Sequence, residues 1–517
     1  AGRTDMSFAS LPFVGLVAAG VILYYLVPKQ AQWVVLLLAS MVFYLSGGVK
    51  SAVWLVLVAG LTWLAGLLLE KQNARPAPDK AAKTAVRRAK KRICAACLVL
   101  CFGLLYLMKY WNFTASALPS ALGDKLPRWD FVVPLGLSYF IFQSVGYVID
   151  VYRGKLSAQK NPLKYGLFVS FFPQMVQGPI SRFDQLAPQL TAERKLCWDD
   201  LQIGIQLALW GYFKKMVIAD RAAIGLATIT SDFSKYTGAY AFLGMLIYAV
   251  ELYADFTGGI DITIGIAELF GIRLPENFRQ PFFSKSLAEY WRRWHITLCA
   301  WFKDYVFYPI SMSKKMNKAS KWLKKHVSTG IGQRFPIYTA TIVVWFVTGM
   351  WHGASWNFIV WGLLNGIIML ASQELEPVYA KVDGKLHLKK HTAYKVFEII
   401  RTTAIVCVLQ MLDYHRNIAD AFRQFISMFT TANYASVFGS GMFNIGLSLP
   451  DYILLLAGVI IMYIVSFAGR EESVRERLSK KSFALRFTIF LALFLGIAVF
   501  GVYGIGYESS QFIYNQF

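Results

Sequence analysis

The chain has 517 residues, of which 56% are hydrophobic and 16% aromatic, and its mean hydropathy is +0.45. Such a composition excludes a water-soluble globular enzyme of this size and indicates a polytopic membrane protein. The net charge of +23 could suggest a nucleic-acid partner, but the basic residues gather in short segments between apolar runs, the positive-inside pattern of membrane proteins, so none is expected.

Residues 1–5 (AGRTD) precede Met6 and are expected to be vector-derived, leaving 6–517 as a single membrane domain. Apolar runs occupy roughly 7–27, 31–47 and 51–69, and the first lacks a cleavage-like ending, so it reads as a retained helix. Segment 71–92 follows, with nine Lys or Arg against one acid, Asp79, and is assigned to the cytoplasm. In the next span, near 93–110, Cys94, Cys97 and Cys101 share one helical face with no His or carboxylate beside them. Packing is expected there, and no metal. Six cysteines in so long a chain make no disulfide framework. The nearly neutral loop 112–130 is placed outside, and the span 131–151 returns to Arg153, Lys155, Lys160 and Lys164 inside. Counting back puts the N-terminus outside.

Residues 165–180 are too short for a comfortable crossing. With Pro173, Gly178 and Pro179 they read as a re-entrant segment, tolerated only where buried in protein or lining a cavity. Apolar runs resume at 201–228, interrupted by Lys214 and Lys215 so that its crossing stays open, and at 239–270. Asp255 and Asp261 lie at membrane depth in the latter. Either they pair with Arg273 or Arg279 or cap a helix starting near Gly258, or they line a substrate path. Residues 276–310 mix charges with aromatics, as an interfacial amphipathic helix would. On it Arg292 and Arg293, with Lys303 farther along, could meet the anionic part of a substrate or be solvated charges, and Asp304 is a further substrate-binding candidate. His295 either faces a tunnel or orients the segment.

Segment 311–334 carries seven Lys or Arg and no acid, and 373–396 five Lys against three acids, so both are assigned to the cytoplasm. Between them, from Phe335 to Gln373, there is no Asp, Glu, Lys or Arg. That run is nearly twice the roughly 20 residues of one crossing. A hairpin broken at Gly349–Gly353 follows. Its one histidine, His352, lies deep in the apolar zone among Trp345, Trp351, Trp356 and Trp361, with Asn357 close by in sequence. An ionisable group at that depth is a functional candidate by default, although a packing histidine bonded across a helix interface is the alternative. A neutral imidazole can take a proton from a hydroxyl as a general base. The span 397–414 then leads to the external loop 415–450, 451–468 returns to the basic stretch 470–486, and 484–505 ends outside. The fold expected is all-α and polytopic, with roughly eleven transmembrane helices plus re-entrant and interfacial helices.

WRRWHITL (291–298), WFKDYVFYPI (301–310) and GMWHGASWNFIVWGLLNG (349–366) resemble the membrane-bound O-acyltransferase (MBOAT) family. The similarity continues in PLGLSYFIFQSVGYVIDVYRG (134–154), FFPQMVQGPISRF (171–183), YADFTGGIDITIGIAELFGIRLPENFRQPF (253–282) and FIYNQF (512–517). The likeness is to the bacterial branch of alginate-type O-acetyltransferases and teichoic-acid D-alanyl transfer proteins. It implies a central tunnel, with His352 at the family's near-invariant histidine, activating an acceptor hydroxyl, and His295 at its second. It also implies no bound cofactor, acetyl-CoA as acyl donor and a site in the bacterial cytoplasmic (inner) membrane. The implied partners are an extracytoplasmic SGNH-type acetyltransferase and a polysaccharide synthesis and export machinery. Two other readings stand beside this one: D-alanyl transfer from a carrier protein, and a polysaccharide or lipid transporter without covalent chemistry.

Overall fold

The computed structural model describes residues 6–503 apart from Asp130, Val132 and Arg416. FIYNQF and residues 1–5 lie outside the described residues. Among the described residues all regular elements are helical, and the β-type pairing is the single bridge between Phe278 and Trp294. Six helices among the described residues are long and apolar enough to cross a membrane: Val49–Asn73, Lys80–Ala117, Ala239–Leu269, Trp356–Glu374, Leu449–Ala468 and Phe483–Phe500. Several other apolar helices fall short of about 20 residues, among them Leu11–Leu26 with 16 and Gln32–Ser46 with 15. On the last two of the six, Leu456, Ile460, Ile464, Phe487 and Phe494 are exposed, which suits a surface wetted by lipid tails.

The chain divides into two compact units, Ala1–Trp210 with Gly259–Pro275, and Gly211–Gly258 with Glu276–Phe517. In the first, helix Val49–Asn73 packs on Lys80–Leu105 and Leu137–Tyr152. Asp79 caps the start of Lys80–Leu105, accepting from the Ala82 N–H at 2.6 Å, so most of the basic segment is helix and not loop. Cys94, Cys97 and Cys101 are buried on one face of that helix. The segment read as re-entrant forms helix Pro162–Ser170, the 3-10 turn Phe172–Gln174 and then irregular buried backbone. Backbone at such a place must find partners in protein. It does: the Phe172 N–H donates to Ser40 Oγ (3.1 Å), and Gln143 Nε2 donates to the Phe168 carbonyl (2.9 Å).

In the second unit Lys214 and Lys215 do not interrupt the helical run. They sit in a π turn, Phe213–Ala219, that leads directly into Asp220–Ser231, and both are buried. Helix Ala239–Leu269 runs unbroken through Gly258, so no cap forms there. The partner of Asp255 is neither expected arginine. Its Oδ1 lies 2.6 Å from Lys215 Nζ, which also meets Asp220 Oδ1 at 2.9 Å. In the first unit, Arg273 faces Glu268 (3.5 Å) and Asp200 (3.8 Å).

Residues 276–310 are not one amphipathic helix. They form helix Leu287–Arg293, helix Ile296–Phe302, the π turn Lys303–Phe307 and the short helix Tyr308–Ser311. The break falls on His295, whose φ of 48° and ψ of 51° lie in the left-handed region that ends a helix.

The chargeless run is the expected hairpin, with helix Thr329–His352 packed against Trp356–Glu374 and a turn at 353–355. Ser328 starts it, its Oγ accepting from the Ile331 N–H (3.1 Å). Glycines let the arms touch backbone to backbone: a Cβ on Gly362 would meet the Trp345 carbonyl, and one on Gly349 the Phe358 carbonyl. Gly362→Ala should therefore push the arms apart, destabilising the fold by about 1–3 kcal/mol as overpacking does. Thermal unfolding in detergent checks this; an unchanged midpoint would mean the arms are not locked there.

Candidate active site

The hairpin delivers His352 to a cavity in the second unit. Leu252, Val406 and Leu409 supply aliphatic wall, and Trp291, Trp294 and Trp361 supply aromatic wall. The polar groups reaching the cavity are His352, Tyr248, Asn365, Gln410 and Asp413. A mostly apolar pocket with a few convergent polar groups is the usual form of a small-molecule site.

The aromatic wall is fixed by one amide. Asn365 Oδ1 accepts from Trp291 Nε1–H at 3.0 Å, while its Nδ2 donates to the Trp361 carbonyl at 2.9 Å. The Trp291, Trp345 and Trp361 rings then meet edge-to-face at 4.9, 5.5 and 6.2 Å. His352 packs against this group, 4.6 Å from Trp361, 5.1 Å from Trp351 and 6.1 Å from Phe358. An imidazole packed against three rings has fewer orientations open to it, which is the preorganisation a proton-transfer group needs.

His295 is near this centre but not in the cavity lining. It is 1% exposed, packed edge-on to Phe256 (5.0 Å) and Trp351 (5.6 Å). Trp351 thus packs against both histidines, whose imidazoles are within electrostatic reach of each other. The Asn277 Oδ1 accepts from the Thr297 N–H (3.0 Å) and hydroxyl (2.8 Å), which orients the amide with its oxygen toward His295 Nδ1 at 3.3 Å. An acceptor there favours the tautomer with the proton on Nδ1 and the lone pair on Nε2. The Ile296 N–H donates to the Asn277 carbonyl (3.0 Å) and the Arg279 N–H to the Arg293 carbonyl (2.9 Å), pinning the left-handed turn from both sides.

The other candidates scatter. Arg292 is exposed, and Arg293 pairs with Glu289 at 2.7 Å, one helical turn away. Lys303 is exposed and Asp304 half-buried in the π turn after Phe302. Asp255 belongs to the lysine cluster, and Asp261 is half-buried elsewhere on the same helix. Trp356 is 54% exposed and outside the cavity lining. Asn357 is buried but not in the lining; its Nδ2 donates to the carbonyls of His415 (2.7 Å) and Leu412 (3.3 Å), at the last turn of helix Thr392–Tyr414. It closes carbonyls a helix end would leave unmet, and so ties the hairpin to the helix that bears Gln410 and Asp413. Those two, with Tyr248, Asn365 and Trp291, were missed from sequence. The available signal was a carboxylate and an amide at i and i+3 in an otherwise apolar span. Among the described residues no group of three or more His, Cys, Asp or Glu could hold a metal ion.

Helices long enough to span a bilayer, and a histidine held among tryptophans at the bend of an apolar hairpin, define a polytopic membrane protein with an enclosed aromatic site. Residues 39–412 match the sequence profile of MBOAT, the membrane-bound O-acyltransferase family. The chain belongs to that family. It is 33% identical over 349 residues to the probable alginate O-acetylase AlgI of Azotobacter vinelandii, covering 66% of this chain and 64% of that one. It is 30% identical over 320 residues to the peptidoglycan O-acetyltransferase of Helicobacter pylori, covering 56% of each. It is also 30% identical over 274 residues to the teichoic acid D-alanyltransferase of Bacillus subtilis, covering 51% of this chain and 64% of that one. The matched region thus spans somewhat less than two thirds of each of these relatives.

Proposed function

We propose that the protein is a membrane O-acyltransferase that takes an acetyl group from cytoplasmic acetyl-CoA and passes it across the membrane for O-acetylation of an extracytoplasmic polysaccharide. The observation that carries this reading is His352, fixed by aromatic rings on the wall of an enclosed cavity. The names of the acetyltransferase relatives support acetyl as the group moved.

In this reading the acceptor hydroxyl gives its proton to the neutral His352 imidazole as its oxygen attacks the thioester carbonyl. The C–S bond breaks as the ester forms, and the CoA thiolate leaves with a proton returned by the imidazolium. The tryptophan wall excludes water, which would otherwise hydrolyse the thioester. Trp351 orients the imidazole, and His295 packs against Trp351. The basic segments 71–92, 311–334 and 470–486 face the cytoplasm, and both termini lie outside. An SGNH-type extracytoplasmic acetyltransferase and the polysaccharide export machinery are the partners that would complete delivery.

Purified protein in proteoliposomes, supplied with labelled acetyl-CoA on one face and an oligosaccharide acceptor on the other, tests the reading. Label should appear on the acceptor, or on the SGNH-type partner when that is included. Transfer from a D-alanyl-charged carrier protein, with none from acetyl-CoA, would replace the acetyl reading by the D-alanyl one. Movement of unmodified saccharide without any acyl transfer would make the protein a transporter.

A further inference from the structure

Within the cavity the tryptophan wall and His352 are absorbed by the acyl-transfer reading, but one polar feature is not. Helix Thr392–Tyr414 turns Gln410 and Asp413, three residues apart on one face, toward the same space as His352. The Asp413 carboxyl accepts a hydrogen bond from the hydroxyl of Tyr248, which reaches it from helix Ala239–Leu269. Its Oδ1 is enclosed and has no hydrogen-bond partner among the described residues. Enclosing a carboxylate oxygen without a donor is unfavourable, so such an atom in a native site asks for an explanation. Asp413 is not there for packing alone: its helix end is anchored by Asn357, and Tyr248 holds one side of its carboxyl.

We propose that Asp413, held by Tyr248, is a hydrogen-bond-accepting subsite of the cavity that binds a donor group of the substrate, a hydroxyl or an ammonium, beside the acyl-transfer centre. The proposal deepens the acyltransferase reading and rests on it for the identity of the ligands. A hydroxyl there would belong to a saccharide and would leave a neighbouring hydroxyl toward His352. An ammonium there would belong to an aminoacyl group and would make this carboxyl the determinant of acyl-group choice. Both sources share the chemistry of an N–H or O–H donor meeting a carboxyl oxygen.

The test is equilibrium binding without any acyl donor, so that it does not depend on turnover. Cellobiose and D-alanine methyl ester are titrated by calorimetry into wild type, Asp413→Leu, Asp413→Asn and Tyr248→Phe. Leaving a buried donor of the probe without its acceptor should weaken binding about 10- to 100-fold in Asp413→Leu. Tyr248→Phe, which only frees the carboxyl, should weaken it less. If the ligand is a hydroxyl, Asp413→Asn keeps an acceptor oxygen and retains most cellobiose binding. If it is an ammonium, Asp413→Asn loses D-alanine methyl ester as fully as Leu does. Should wild type bind neither probe, or Asp413→Leu and Asp413→Asn both bind as wild type does, the subsite is refuted. Melting curves of the variants separate this from misfolding. A wild type that binds a probe yet transfers no acyl group overturns the acyltransferase reading while leaving the subsite standing.

Discussion

His352→Ala should reduce acyl transfer by about 10² to 10⁴, the usual worth of a positioned acid–base group, while the protein still folds and inserts. The expectation of a preserved fold comes from the neighbours. The rings of Trp351, Trp361 and Phe358 around His352 belong to helix arms locked by Gly349 and Gly362, and Asn365 holds Trp291 and Trp361 independently of the imidazole. His295 is the control. Its imidazole is outside the cavity lining, and its backbone is left-handed, so His295→Asn removes the ring with a residue that tolerates that conformation. A positioning role predicts a smaller loss for this variant, with the wild-type KM for the donor kept. Transfer assays on the two purified variants decide. If His352→Ala turns over near normally while His295→Asn is dead, the roles are reversed.

Why the sequence led to His352 but not to the rest of its cavity is a matter of range. The hairpin was legible because a charge-free run longer than one crossing has to turn, but the break expected at Gly349–Gly353 falls at 353–355, since helix Thr329–His352 continues through Gly349. The helix face was not legible. Asn357 and Trp361 stood out only as sequence neighbours of His352, although Asn357, Trp361 and Asn365 recur at i, i+4 and i+8 on one stripe of Trp356–Glu374. Trp361 and Asn365 reach the cavity, while Asn357, one turn nearer the bend, meets the end of helix Thr392–Tyr414 instead. The break at His295 had no periodic signature either, since it depends on Asn277, eighteen residues earlier. Likewise Asp255 was matched with arginines close to it in sequence, whereas the three-dimensional partner is a lysine forty residues before it.

That lysine leads to the largest expected effect on stability. Lys215 is 2% exposed between Asp255 and Asp220, themselves 1% and 3% exposed, and Glu251 sits one helical turn from Asp255, also buried. Lys214 beside it donates to Thr257 Oγ1 at 2.8 Å. Replacing Lys215 by Met keeps the volume but leaves two enclosed carboxylates facing each other near a third. Breaking a buried ion pair from one side in this way should destabilise the protein by about 3–5 kcal/mol, because charge is left uncompensated. The attraction itself contributes less than that figure suggests, since both charges were taken out of water to form it. Adding Asp220→Asn and Asp255→Asn to Lys215→Met should therefore recover most of the loss. Thermal unfolding of the detergent-solubilised variants reads both steps. A single variant as stable as wild type would mean that water reaches the cluster. A triple variant as unstable as the single would instead assign the cluster a specific packing role, with the π turn at Phe213–Ala219 dependent on the ions themselves.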